Sequence, residues 1–157
     1  MINKILKSLL FLLALSSVSG LVQSTTKQTQ KSFDNNLTNI LAGSLDIDGN
    51  NQYDALTDGL LILRYMFGLT DNSLVTGAVA SDAIYKDADS LQNRLAVIAV
   101  MSDIDGSGSV DALTDGLLIL RYLFGLEGDT LTIGVLSADA TRTEPSEIEA
   151  FLSRLTP

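Results

Sequence analysis

The sequence predicts an all-α protein of two tandem loop–helix repeats, each carrying an additional C-terminal helix. The first support is a 24-residue segment written twice, at residues 46–69 and 103–126, offset by 57 residues with 19 positions identical. Duplication at that strength marks a structural unit used twice. The likeness continues more weakly at the same offset, pairing Leu74 with Leu131, Gly77 with Gly134, Asp82-Ala83 with Asp139-Ala140 and Leu95 with Leu152. The second support is periodicity. Leu91, Leu95, Ile98 and Met101 recur at helical spacing, as do Ile148, Phe151, Leu152 and Leu155. These stripes are read as core. Gln92, Asn93 and Arg94 fall on the opposite side of the first of them, and Pro145 stands in the first turn of the second, where a missing N–H is harmless.

The helices that directly follow the loops differ in kind. Residues 60–63 and 117–120 are both Leu-Leu-Ile-Leu, apolar on every side, with Arg64 and Arg121 the only charges before Gly68 and Gly125. A helix apolar all round is buried all round or covered by a partner. The two helices are expected to pack on each other and on the second helices, with a partner-binding face as the alternative.

Composition narrows the chemistry. The chain of 157 residues has no Cys, no His and no Trp, and carries 10 Lys+Arg against 19 Asp+Glu. Thiol and imidazole chemistry is therefore excluded, including Cys nucleophiles, Ser-His-Asp triads and His/Cys zinc sites. Oxygen ligands remain, and these suit hard cations. An acidic chain without basic clusters is not expected to bind nucleic acid.

The first twenty residues read as a secretory signal peptide. Lys4 and Lys7 precede an apolar run at 8–15, and small residues follow it at 16–20. That run is far shorter than the roughly 20 residues that span a bilayer, so no stable membrane span is expected after cleavage. The chain is expected to be exported, to the periplasm or beyond the cell. The organisation is then a signal peptide (1–20), a polar linker (21–40), a first repeat (41–101) and a second repeat (102–157). Without Cys, an exported chain has no disulfides and depends on its core and on bound ions.

The acidic loops carry the chemistry. Asp46, Asp48, Asn50, Gln52 and Asp54 occupy alternate positions, as do Asp103, Asp105, Ser107, Ser109 and Asp111. Alternating oxygen side chains in a tight loop converge on one point, as in an EF-hand-type Ca²⁺ loop. The first, third, fifth and ninth places supply side chains, and the seventh, Gln52 or Ser109, supplies its carbonyl. The sixth place requires a turn with positive φ, which suits Gly108 and leaves Asn51 slightly strained. The eighth, Tyr53 or Val110, is expected to tuck into the core. With Asp58 and Asp115, each loop gathers four carboxylates, and like charges this close raise one another's pKa. A divalent cation turns that repulsion into coordination, so two Ca²⁺ ions are expected, one per repeat.

The two segments resemble the duplicated Ca²⁺-binding repeats of dockerin domains, in which an EF-hand loop is followed by one helix. The resemblance covers both 24-residue segments and includes the Arg64-Tyr65 and Arg121-Tyr122 pairs. Counting back from those pairs, it implies that Asp58 and Asp115 close the ligand shell through a loop one residue longer than usual, with Thr57 and Thr114 as second choice. It also implies docking onto a protein partner, cohesin-like or other. Ala55-Leu56 and Ala112-Leu113 replace the family's usual polar contact pair. Dockerins ride on enzymes of polysaccharide degradation, so the resemblance implies that process by association. No catalysis is expected here, because the paired aspartates are engaged by the loops. The alternative is a Ca²⁺-rigidified structural protein that associates with copies of itself.

Overall fold

The computed structural model describes residues 43–156, which form helices and turns with no strand among them. The expected signal peptide and polar linker lie outside the described residues. Those described fall within one unit of mutual contacts, Leu41–Pro157. Among the described residues no helix is long and apolar enough to cross a membrane.

Each acidic loop runs into a helix through a widened turn. A π-helical turn, Ala55–Gly59, leads into α1 (Leu60–Met66), and Ala112–Gly116 leads into α4 (Leu117–Leu123). The widening shows in main-chain bonds that span five residues, Gly59 N to Asp54 O and Gly116 N to Asp111 O, both 3.1 Å. A π turn takes in one residue more than an α turn of the same rise.

α1 and α4 end in the same way. Gly68 and Gly125 lie at φ +77° and +76°. Leu69 N donates to Arg64 O and Gly68 N to Tyr65 O, with the matching pair Leu126 to Arg121 and Gly125 to Tyr122. This double closure needs a left-handed residue after the cap, which glycine adopts without steric penalty.

The connections contain short helices that the apolar pattern did not predict, α2 (Asp71–Val75) and α5 (Asp129–Thr132). They are held by the arginines of the Arg-Tyr pairs. Arg64 donates to Leu74 O and Thr76 O, and Arg121 to Leu131 O and Ile133 O. The remaining helices are α3 (Ala88–Ala99) and α6 (Pro145–Leu152), with Pro145 at the first helical position. Leu91, Leu95, Ile98, Ile148, Leu152 and Leu155 are buried, whereas Met101 and Phe151 are half-buried.

α1 and α4 pack against each other, and each also lies on the π turn of the other half. Leu61, Ile62, Leu118 and Ile119 are buried in the shared core. The contact is reciprocal through two glycines. A Cβ added to Gly59 would lie 2.9 Å from Leu120 Cδ1, and one added to Gly116 would lie 2.8 Å from Leu63 Cδ1. Leu63 and Leu120 are thus half-buried by the opposite half, which accounts for the apolar character of these helices on more than one side.

The eighth loop position does not behave alike in the two halves. Tyr53 packs partly against the core, but Val110 is 38% exposed. The anchoring role falls instead to the second loop position. Ile47 and Ile104 are fully buried in the core, each between two aspartates of its triad.

Candidate metal centre

Both loops bring three carboxylates together. Asp46, Asp48 and Asp58 each offer an oxygen, and these oxygens lie within 4.8 Å of one another; Asp103, Asp105 and Asp115 do the same. Asp48, Asp58, Asp105 and Asp115 are fully buried and Asp46 nearly so. Burying carboxylates this close together is costly unless charge or hydrogen bonds compensate.

The first-place aspartates organise the turn. Asp46 accepts from Gly49 N, Asn50 N and Asn51 N at 2.8–3.1 Å. Asp103 accepts through Oδ2 from Gly108 N, while its Oδ1 is buried without a hydrogen-bond partner among the described residues. The third-place aspartates tie the loop to the connection. Asp48 Oδ2 accepts from Ala80 N, and Asp105 Oδ2 from Ser137 N, the same position one repeat later. The main-chain oxygen of Asp48 accepts from Ile84 and Tyr85, and that of Asp105 from Thr141 and Arg142.

Asp58 and Asp115 reach the triads from the π turns. Asp58 accepts from Ile47 N, Asp48 N and Asp54 N, and Asp115 from Ile104 N, Asp105 N and Asp111 N. A carboxylate has about four lone-pair sites, so three main-chain bonds leave each with one, which the neighbouring threonine hydroxyl approaches at long range. Thr57 and Thr114 stand beside them, donating at 3.5 and 3.3 Å to Asp58 and Asp115.

Burial pushes the Asp58 carboxyl up to about 6, with the charge of Asp48 adding to the rise and the three main-chain donors opposing it. Burial likewise raises Asp115, where Asp105 supplies the like charge. Tyr53 is raised by burial and by the negative charges of Asp46 and Asp58.

The other sequence-predicted positions lie outside the triads. Asp111 is exposed and caps the turn, accepting from Leu113 N and Thr114 N at 2.9 and 3.0 Å. Asp54, also exposed, makes no side-chain capping bond. Three carboxylates rather than four therefore converge in each half. Asp111→Ala is expected to cost about 1 kcal/mol, the usual value of such a cap, measurable by urea unfolding.

At the fifth place, Asn50 Oδ1 accepts from Gln52 N, while Nδ2 donates to Asp82 Oδ1. Gln52 Nε2 donates to Asp82 Oδ2, so its side chain faces Asp82. In the second loop Ser107 Oγ donates to the carbonyl of Ser109 at 3.2 Å, which puts the fifth and seventh places side by side.

The sixth place has the expected backbone, with Asn51 at φ 62° and Gly108 at φ 87°. Asn51→Gly is expected to be neutral or slightly stabilising. The β-branched Asn51→Val is expected to cost about 1–2 kcal/mol, since only the left-handed conformation fits. Thermal unfolding of the pair separates the two outcomes.

Two arginines complete the site. Arg94, placed by periodicity on the polar side of its helix, turns toward the first loop. It donates through Nε to Ile47 O and through Nη2 to Asp46 O, both 2.7 Å. Arg142 donates to Ile104 O and Asp103 O. A helical wheel reports polarity, not reach, and a long guanidinium side chain can fold back over apolar surface. The weak repeat signal past residue 69 could have drawn attention to these connections.

Geometry and donor chemistry define a class: a helical protein with two all-oxygen acidic loops suited to hard cations. The buried, unpartnered Asp103 Oδ1 and the absence of nitrogen or sulfur donors from both triads fit such an ion. Comparison with protein-family models, with curated proteins and with solved structures found no match to this chain.

Proposed function

We propose that the chain is an exported, non-catalytic Ca²⁺-binding module of dockerin-like type, binding one ion per repeat and docking onto a protein partner. The observation that carries this reading is the pair of buried aspartate triads built from corresponding loop positions. Asp46, Asp48 and Asp58 would hold the first ion and Asp103, Asp105 and Asp115 the second, with the fifth-place side chains and seventh-place carbonyls beside them. A bound cation would neutralise the repulsion within each triad. The π turns support the assignment of Asp58 and Asp115 as closing residues, because a widened turn absorbs the one extra residue of these loops.

Outside the cell weak sites suffice, since extracellular modules operate at Kd of roughly 10⁻⁴–10⁻³ M. At free Ca²⁺ ten times Kd, each ion would add about 1.4 kcal/mol of stability. Isothermal titration of the mature chain should give two sites, and circular dichroism in chelator should show a less stable protein. Absence of heat at millimolar Ca²⁺, together with identical unfolding in chelator, would remove the proposal.

A second reading, self-association as a Ca²⁺-rigidified structural protein, is favoured by apolar residues exposed in pairs at the repeat offset. Leu56 and Leu113 are 66% and 63% exposed, and Phe67 and Phe124 are 54% and 53% exposed. Light scattering with and without Ca²⁺ decides: a Ca²⁺-dependent oligomer supports assembly, and a persistent monomer supports docking.

A further inference from the structure

Two of the three cation–π pairs among the described residues occupy corresponding places in the two halves, with their members exchanged; the third sets Arg154 4.9 Å from the same Phe151 ring. In the first half the guanidinium of Arg94, on α3, lies 4.2 Å from the centroid of the Tyr85 ring, in the connection. In the second half Arg142, in the connection, lies 4.2 Å from the centroid of Phe151, on α6. Tyr85 and Arg142 are 57 residues apart, and so are Arg94 and Phe151. The repeat offset therefore maps aromatic onto arginine and arginine onto aromatic.

Both guanidiniums nevertheless end at the same target. Each uses Nε on the carbonyl of the second loop residue, Ile47 or Ile104, and Nη2 on that of the first, Asp46 or Asp103. The planar fork of Arg can engage two neighbouring acceptors at once while stacking on a ring, which the ammonium of Lys cannot do. The fourth loop residue is glycine in both halves, so the connection can lie against the loop. A Cβ on Gly49 would lie 2.8 Å from the Tyr85 ring, whereas one on Gly106 would clash with Thr141 Oγ1, with Arg142 Cζ at an ordinary 3.4 Å. What the fold holds fixed is the position of the fork, not the residue that supplies it.

We infer that Arg94 and Arg142 are interchangeable positioning residues, each fixing the first two peptide planes of its loop and so aiming the first- and third-place carboxylates into the triad. Each fork also places a positive charge behind three negative ones. The effect on ion affinity rests on the Ca²⁺ reading above, whereas the effect on loop structure does not.

The test exchanges the pair within the first half of the full chain. Arg94→Phe alone removes the fork, and Tyr85→Arg with Arg94→Phe rebuilds it in the arrangement of the second half. Tb³⁺ serves as the probe, because Tyr53 in the first loop can sensitise its emission while Val110 stands at that place in the second. The single variant is expected to weaken the first site by about 10–100-fold, the usual effect of losing an outer-shell partner, and to leave the second site unchanged. The double variant is expected to return to within about threefold of wild type. Arg94→Lys, which keeps the charge without the fork, is expected to resemble Arg94→Phe.

A double variant no better than the single, wild-type affinity in Arg94→Phe, or full rescue by Lys would each overturn the inference. If the wild-type chain takes up no Tb³⁺, the Ca²⁺ reading fails, and melting of the metal-free variants decides the positioning role by the same rescue criterion. If Arg94→Phe does not fold, folding of the double variant is the rescue, and failure of both overturns the inference.

Discussion

Asp58→Ala and Asp115→Ala are expected to lose about 2–4 kcal/mol each and to abolish the ion site of their own half. Each carboxylate accepts from three loop N–H groups, and a buried donor left without an acceptor costs about 1–3 kcal/mol. Water entering the shortened side chain's place recovers part of this. So does relief from burying a carboxylate whose pKa is raised. Urea unfolding without metal measures the structural share, and Ca²⁺ titration measures the rest. Thr57→Val and Thr114→Val remove only a long hydrogen bond to the neighbouring carboxylate and should cost under about 1 kcal/mol. If the threonine variants lose the ion and the alanine variants keep it, the closing ligand is the threonine.

The clustering of these carboxylates was partly legible in the sequence. That Asp46 and Asp48, and Asp103 and Asp105, come together was legible from alternating oxygen side chains repeated 57 residues on, whereas Asp58 and Asp115 were pointed to by the resemblance to dockerin repeats. The π turns that carry Asp58 and Asp115 were not legible, since helix width depends also on what the turn packs against. Here that is Leu120 over Gly59 and Leu63 over Gly116. Asp54 and Asp111 fit the pattern but stay outside the triads, with Asp111 capping the turn instead. Tyr53 packs partly against the core as expected and Val110 does not, while Ile47 and Ile104, each standing singly between two aspartates, belong to no apolar period that would mark them as buried. The arginine forks were hidden for a different reason: comparing the copies position by position hides a function that has moved between positions.

Metal-free protein should become less stable as pH rises from about 4 to about 6, and the Ca²⁺-bound protein should show the opposite trend. Folding raises Asp58 from its ordinary value of 3.8 to about 6, through burial first, and Asp115 moves in the same direction. A carboxyl that holds its proton more tightly when folded takes up protons on folding. Stability is therefore greatest below the unfolded pKa, falls as pH climbs through the folded one, and levels off above it. Two pH units correspond to about 3 kcal/mol at most for Asp58, nearer 1–2 after solvent screening. Ca²⁺ competes with that proton, so its affinity should rise through the same interval, with proton release on binding near pH 5–6. The measurement is thermal unfolding at pH 5 and pH 7.5 of protein stripped on a chelating resin, with and without added Ca²⁺. The gain in melting temperature from Ca²⁺ should be small at pH 5 and large at pH 7.5. An equal gain at both would mean that the ion does not displace a proton from Asp58 or Asp115. A metal-free protein more stable at pH 7.5 than at pH 5 would mean that neither carboxyl is raised by folding.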